Sequence, residues 1–457
     1  MDMRIMWNLM QELGRLRKHE QWSRLRLQAH QAGALHRLRQ HAYARSRFYQ
    51  SYHRGLQDRP LDELPILTKA QLMEHFDELV TDARVHLQDV RALAGGDGSG
   101  GRFLDRYWVN ATSGSSGEPG LFLFEEQEWL AVLASFARAH EWAGQSIRLT
   151  HRMKMASVAS VSPWHMSAQV GATLKSWWMP ALRMAASDPL PQLVSKLNDW
   201  QPEMLVAYAS MARILAEEQL AGRLQIHPHL VFTSSEVLTD ETRRRAEAAW
   251  GHAPFNQYGA TEVGDLAAEH VASRRMHLFE DLIIAEVVDE QNRPVPPGEF
   301  GAKVLVTSLF SRTLPLIRYE LNDSLRLAPD PSPAGLPFAV LDSIQGRTED
   351  ALSLASAGGG TIGIQPLVFH RILDVLPVSG WQVVQSAPDE LTLLLSGLRD
   401  GLAEDAIVER VTRALTAEGA RPPVVSIRRV EAIPKRGSGK APLIQAYRPS
   451  ATSDRLN

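Results

Sequence analysis

The sequence predicts an α/β fold. A large N-terminal domain of sheets covered by helices is followed by a small α+β C-terminal domain. Three observations predict this. The chain has 457 residues, too many for one core. Beyond its first third, short apolar runs alternate with amphipathic helical patterns, as expected for parallel strands covered by crossover helices. The last stretch, roughly 110 residues long, mixes hairpin and helix patterns and has the size of a small independent domain.

Taken in order, residues 8–50 carry apolar positions at helical spacing among many Arg and Gln. They predict one or two exposed helices packed on the main body. A basic amphipathic helix can also touch a membrane or nucleic acid, but a solvated helix face is the simpler reading. Thr68 is placed to cap a helix running through Phe76. Arg106–Val109 and Leu121–Phe124 read as strands, and Glu125–Ala143 as a long helix. Met204–Tyr208 reads as a buried strand, Ser210–Leu220 as a helix, Leu230–Thr233 as a strand and Asp240–Trp250 as a helix. Residues 282–306 are strand-rich, with a turn over Asn292–Glu299. A boundary falls near Gly346–Asp350, giving domains 1–348 and 349–457. Beyond it come a strand before Gly358, a helix after Pro366, a hairpin (Trp381–Val384 with Leu391–Leu395), a helix over Glu404–Glu418 and a last strand, Val424–Val430.

Composition excludes several classes. The net charge of −3 argues against a dedicated nucleic-acid binder. With 0 cysteines, disulfides, thiolate metal sites and cysteine nucleophiles are excluded. No apolar run approaches the roughly 20 residues of a membrane helix, and the N-terminus lacks the pattern of a signal peptide. The expected setting is the cytoplasm, with neither nucleic acid nor membrane as partner.

The chemistry-bearing segment is Thr112-Ser113-Gly114-Ser115-Ser116-Gly117-Glu118-Pro119-Gly120, with four hydroxyls and three glycines between two strands. Glycine lets the backbone approach an anion, successive N–H groups can point into one concavity, and hydroxyls add rotatable donors. No Gly-Lys-Ser/Thr follows, so this is not the P-loop of NTPases. Alone, the segment reads equally well as a flexible hairpin loop.

Four further patterns follow it: Asn256-Gln257-Tyr258-Gly259-Ala260-Thr261-Glu262, Ile317–Asp323, Gly346–Asp350 and Ile433–Lys440. The ordered set resembles the adenylate-forming superfamily of acyl- and aryl-CoA ligases, luciferases and peptide-synthetase adenylation domains. The resemblance covers about residues 40 to 445. Leu64–Lys69, Pro202–Tyr208, Ser234-Ser235-Glu236-Val237-Leu238 and Leu314–Tyr319 look most like the phenylacetate–CoA ligase branch.

The resemblance implies ATP-dependent activation of a carboxylic acid to an acyl-adenylate, with release of pyrophosphate. Transfer to coenzyme A follows, or to a carrier-protein phosphopantetheine or another small nucleophile. It also implies a C-terminal domain that moves about a hinge between the two half-reactions. Thr112, Ser113, Gly114, Ser115, Ser116 and Gly117 would hold the departing phosphates, without the lysine that often follows in the family, because Glu118 stands there. Tyr258 would stack on adenine, Thr261 would bind the α-phosphate, and Glu262 would ligate Mg²⁺. Ser235, Glu236, Gln257 and Gly259 would complete the nucleotide site. Asp323 and Arg347 would hold the ribose, although Leu321 and Asn322 replace the family's Thr and Gly. Glu349 occupies the hinge position, where the family usually has Asp. Lys440 would bridge the acid and the α-phosphate. Trp164, His165 and Ser234 would line the acid pocket, and the tryptophans suit an aryl or arylalkyl acid. Trp177 and Trp178 read better as core.

Some relatives carry a structural zinc after the Tyr258–Glu262 motif. Here only His270 and His277 remain, short of the four ligands such a site takes, so no structural zinc is expected. The branch includes dimers, which leaves a homodimer open. The rival reading, a nucleotide-binding regulatory protein without catalysis, draws on the departures at Glu118, Leu321, Asn322 and Glu349.

Overall fold

The computed structural model describes residues 3–96, 102–112, 119–145, 152–174, 179–347, 351–376, 378, 380–398, 403–431, 433–434 and 443–447. The chain divides into two compact units, residues 1–238 with 243–344, and residues 239–242 with 345–457.

The first unit begins with helices α1 (Met3–His19), α2 (Arg24–Arg45) and α3 (Arg47–Tyr52). In α1, Ile5, Leu9, Leu13 and Leu16 recur at three- and four-residue spacing and are buried, as an amphipathic helix requires. Ser23 and Ser46 accept hydrogen bonds from Arg26 N and Tyr49 N and so cap α2 and α3. Several arginines of these helices are spent within the protein. Arg4 pairs with Glu126, Arg17 with Glu141, and Arg24 Nη2 with Glu280 at 2.9 Å. Short helices α4 (Lys69–Glu74), α5 (Phe76–Leu79) and α6 (Leu87–Ala94) follow. Thr68 and Gln71 form a reciprocal capping box at the start of α4.

Strands β1 (Trp108–Ala111) and β2 (Leu121–Phe124) pair antiparallel, Ala111 opposite Leu121. The first strand lies two residues later than the sequence suggests. Helix α7 (Glu126–Trp142) follows, its buried side apolar apart from Glu128, Ser135 and Arg138. Next in chain order come β3 (Met155–Ala159), α8 (Met166–Thr173), β4 (Ala181–Ala185), α9 (Leu190–Trp200), β5 (Met204–Tyr208), α10 (Ala209–Leu220), β6 (Leu230–Ser234), α11 (Asp240–Trp250) and β7 (Phe255–Ala260). After them run β8 (Gly264–His270), β9 (Arg275–Leu278), β10 (Ile283–Val288), β11 (Lys303–Ser308), β12 (Tyr319–Leu321), β13 (Asp323–Leu327) and β14 (Val340–Arg347).

These strands build a nine-stranded sheet in the order β13-β14-β9-β8-β7-β6-β5-β3-β4. Strands β4, β3, β5, β6 and β7 run parallel, while β8 and β9 return antiparallel. A separate antiparallel sheet has the order β10-β11-β12. The parallel half matches the helix–strand alternation of the sequence, because each crossover needs a covering helix.

The second unit holds β15 (Leu352–Ala355), β16 (Thr361–Ile364), α12 (Pro366–Leu373), β17 (Gly380–Ala387), β18 (Glu390–Ser396), α13 (Glu404–Ala417), β19 (Val424–Val430) and β20 (Ile444–Gln445). Its main sheet has the order β19-β18-β17-β20. It has its own core, in which Phe369, Leu373, Trp381, Leu393, Val411 and Leu415 are buried.

Candidate active site

Four parallel strands of the large sheet end on the same side, and two of the singled-out residues, Ser234 and Tyr258, stand on those ends. Ser160 follows β3, Tyr208 ends β5, Ser234 ends β6 and Tyr258 lies near the end of β7. A crevice at the carboxyl ends of parallel strands is where ligands bind in open α/β sheets.

The end of β7 organises the centre of this site. Tyr258 is buried, and its hydroxyl donates to Asp323 Oδ2 at 2.8 Å. Sixty-five residues of sequence separate the two. Glu262 is 8% exposed, and the Tyr319 hydroxyl lies 3.4 Å from its Oε1. The carboxylates assigned to the ribose and to Mg²⁺ are thus each tied to a tyrosine. Tyr319 does not stand out as a site residue in the sequence, because its partner is 57 residues away and the pairing needs the fold. The donor set suits a hard cation: Glu262, its neighbour Thr261 and the Tyr319 phenol offer oxygen alone.

Between Tyr258 and Glu262 the ladder is irregular. Tyr258 pairs with Ala267 but Gly259 with Asp265, so one extra residue of β8 is accommodated there. A methyl group placed on Gly259 would lie 2.6 Å from Asp265 Oδ1, so a side chain there would force that carboxylate to shift.

Of the phosphate loop, Ser113, Gly114, Ser115, Ser116, Gly117 and Glu118 lie outside the described residues. Its neck is described and is closed. Thr112 N donates to Gly120 O at 2.9 Å, and Gly120 N donates to Thr112 Oγ1 at 2.8 Å. Lys69 lies against this neck, its Cε 3.2 Å from where a methyl on Gly120 would sit. The segment carrying Lys69 is fixed from the opposite side. Leu67 N donates to Arg318 O at 3.1 Å, and Glu320 N donates to Leu67 O at 3.0 Å. Arg318 has a left-handed backbone (φ 49°), a conformation that costs a non-glycine residue about 1–3 kcal/mol. Its buried guanidinium bonds the Asp62 and Leu64 carbonyls and pairs with Glu286. Lys69 is a cation that motif reading missed. The signal was present in Glu118, which leaves the loop without its own positive charge.

On the acid side, Trp164 is buried and its carbonyl accepts from Ala111 N at 2.8 Å, joining the segment to β1. His165 forms the N-cap position of α8, and its N–H donates to Ser162 O. Ser234 pairs with Gln257 across β6 and β7. Ser235 has a left-handed backbone (φ 66°), and Glu236 Oε2 accepts from Ser210 N at 2.8 Å, at the start of α10. Glu236 therefore holds a helix start in place. The Tyr208 hydroxyl accepts from Ser160 N at 2.9 Å, and burial pushes its pKa up to about 12, so it stays neutral. Trp177 and Trp178 lie outside the described residues, as do Glu349 and Lys440. Arg347 is the exposed last residue of β14. Among the described residues no three His, Cys, Asp or Glu side chains converge to hold a metal. His277 is buried against the Ser332 hydroxyl at 2.7 Å.

No family model matches the chain. It is similar to the phenylacetate–coenzyme A ligase of Thermus thermophilus, 27% identical over 200 residues, which are 42% of this chain and 44% of that one. The Pseudomonas putida ligase of the same name is 26% identical over 257 residues, covering 53% and 55%. Protein CapK of Staphylococcus aureus is 23% identical over 277 residues, covering 58% and 54%. The matches span about half the length of these relatives. Among solved structures, a 2-hydroxyisobutyryl-CoA ligase in its postadenylation state superposes with a TM-score of 0.72 at 20% identity, covering 95% of this chain and 92% of that one. An anthranilate CoA ligase with anthranoyl-AMP gives 0.51 at 16% identity, covering 73% and 65%. By sequence, over about half of its length, the chain is similar to phenylacetate–coenzyme A ligases, and it shares the fold of solved acyl- and aryl-CoA ligases.

Proposed function

We propose that the protein activates a carboxylic acid with ATP, forming an acyl-adenylate and pyrophosphate, and then passes the acyl group to coenzyme A. The acid is read as aryl or arylalkyl, on the strength of Trp164 beside β1. The observation that carries the proposal is the convergence of Tyr258, Asp323, Tyr319 and Glu262 at one strand end, with the neck of the Thr112–Gly120 loop closed beside Lys69.

Joining two anions is a problem of alignment and charge. Asp323, with one oxygen accepting from Tyr258, supplies the carboxylate for the ribose hydroxyls. The Tyr258 ring offers a flat face to the purine. Thr112 and the loop it closes would receive the β- and γ-phosphates, and Lys69 would offset their charge. Glu262 and Thr261 would hold Mg²⁺, which when bound would supply positive charge to offset that of the phosphates. Lys440 is read as the cation that approaches the acid carboxylate and the α-phosphate together.

Acid-dependent ATP–pyrophosphate exchange over aryl, arylalkyl and fatty acids tests this. Exchange with at least one acid is expected, followed by CoA-dependent thioester formation. ATP binding without exchange for any acid would favour the regulatory reading. Thioester formed only on a holo carrier protein would correct the acceptor. Lys440→Ala should lower exchange by a hundredfold or more yet leave thioester formation from a supplied adenylate largely intact. Equal loss of both half-reactions would contradict its role.

A further inference from the structure

Helix α1 is apolar on two faces. Ile5, Leu9, Leu13 and Leu16 point inward and are buried. Met3, Trp7 and Met10 point the other way and are 84%, 63% and 62% exposed. Single exposed apolar residues are ordinary, but three large ones on successive turns of one helix, one of them a tryptophan, form a stripe. At about 100° of rotation per residue, Met3, Trp7, Met10, Gly14, Arg17 and Lys18 fall within one sector roughly 100° wide. The sector is open at its middle, because a methyl group placed on Gly14 meets nothing within 4 Å. The outward face of α1 is therefore apolar over its first two turns and cationic in its last.

The two opening helices are also strongly basic. Residues 3–45 carry nine Arg and Lys against two Glu, in a chain whose net charge is −3. Such asymmetry marks a surface that meets an anionic partner. Arg4 and Arg17 pair with Glu126 and Glu141, yet their side chains stay 65% and 60% exposed. Lys18, Arg26, Arg37 and Arg45 are exposed, and no carboxylate among the described residues pairs with them.

Apolar side chains and cations on one helix face match an anionic lipid surface. There Trp and Met enter the boundary between headgroups and acyl chains, while Arg and Lys meet phosphate. Nucleic acid would engage the cations but leave Met3, Trp7 and Met10 exposed to water. A second copy of α1 would set Arg17 and Lys18 against like charge in either orientation, against their own copies or against Arg4. Because the inward leucines stay packed and Arg4 and Arg17 tie α1 to α7, the helix presents its outer face without leaving the fold.

We infer that the outward face of α1 is a docking surface for an anionic lipid membrane, on which the protein rests peripherally. The inference is independent of acid activation. It replaces the solvated face expected from the sequence, because spacing alone does not show which of two apolar stripes the body covers.

Flotation of the full-length protein with vesicles tests it, using phosphatidylcholine alone and phosphatidylcholine mixed with phosphatidylglycerol. Binding to the anionic vesicles is expected, with little to the neutral ones, and it should weaken as salt rises. The triple variant Met3→Gln, Trp7→Gln, Met10→Gln should bind about tenfold more weakly or worse. Lys18→Gln should weaken binding about fivefold. Both should keep the wild-type melting temperature, since these side chains are exposed. Trp7→Gln alone should shift binding in the same direction and guards against misfolding of the triple variant. No binding to anionic vesicles, equal binding to neutral ones, or binding that the triple variant leaves unchanged would overturn the inference. So would a dimer in sedimentation velocity that the triple variant dissolves, which would give the stripe to a second copy of the chain.

Discussion

Tyr258 shows how two roles can be separated within one side chain. In the proposed function its ring is the surface offered to the purine, while its hydroxyl donates to Asp323 Oδ2 at 2.8 Å. Tyr258→Phe keeps the first and removes the second. A net hydrogen bond of about 0.5–1.5 kcal/mol predicts a KM for ATP raised roughly two- to twelvefold with kcat little changed, measured by steady-state pyrophosphate release. A fall in kcat alone would place the hydroxyl in the chemistry instead. Tyr258, Glu262 and Asp323 were legible in the sequence because each sits in a local pattern. Tyr319 and Lys69 were not. Each gains its meaning from a neighbour supplied by a distant strand or loop, and alone each looks like an ordinary strand tyrosine or helix lysine.

At the level of elements, the start of α4 joins a local signal to the site. The Thr68–Gln71 capping box fixes the first turn, and Lys69 is the first residue of that turn. Loss of an N-cap typically costs about 0.5–2 kcal/mol, so Thr68→Ala should lower the melting temperature modestly. It should also raise the KM for ATP, since Lys69 would lose its fixed place beside Gly120. Lys69→Met should raise the KM for ATP without the thermal loss. Equal KM effects with no melting change in either variant would argue against the cap as the positioning device. This cap could be read from the sequence, as could β2, β5, α11 and β19, which begin and end where pattern and turn residues indicate. Strand β8 could not. Its sequence, Gly264-Asp265-Leu266-Ala267-Ala268-Glu269-His270, has no β-branched residue and is buried on both faces except at its last position, so period-two alternation is silent. Strand β4, mostly part-exposed and rich in alanine, is silent for the opposite reason.

For the whole molecule, several histidines are held neutral by burial. His53 and His277 are buried, and desolvation first, with cationic neighbours adding to it, pulls each pKa down to about 4. The unfolded chain, with values near 6.5, binds more protons than the native state between these limits. Stability from these groups is therefore fully present above about pH 6.5 and is lost as pH falls toward 4. Melting temperature followed from pH 7.5 to 4 should drop through this window, and His53→Phe should flatten part of the drop. An unchanged slope would remove His53 from the account. The helices at the start of the chain carry a different consequence. His19 Nδ1 reaches Asp281 Oδ2 across 262 residues, Arg24 and Gln31 reach Glu280, and the Tyr49 hydroxyl reaches Pro315 O. Synthesis proceeds at about 5–20 residues per second, so Glu280 and Asp281 follow these helices by roughly 13–50 s, well after α7, on which α1 also packs, has been made. Until then His19 and Arg24 lack the carboxylates they pair with. The helices at the start of this sequence are thus secured in two stages, first on α7 and then on segments that reach as far as Pro315.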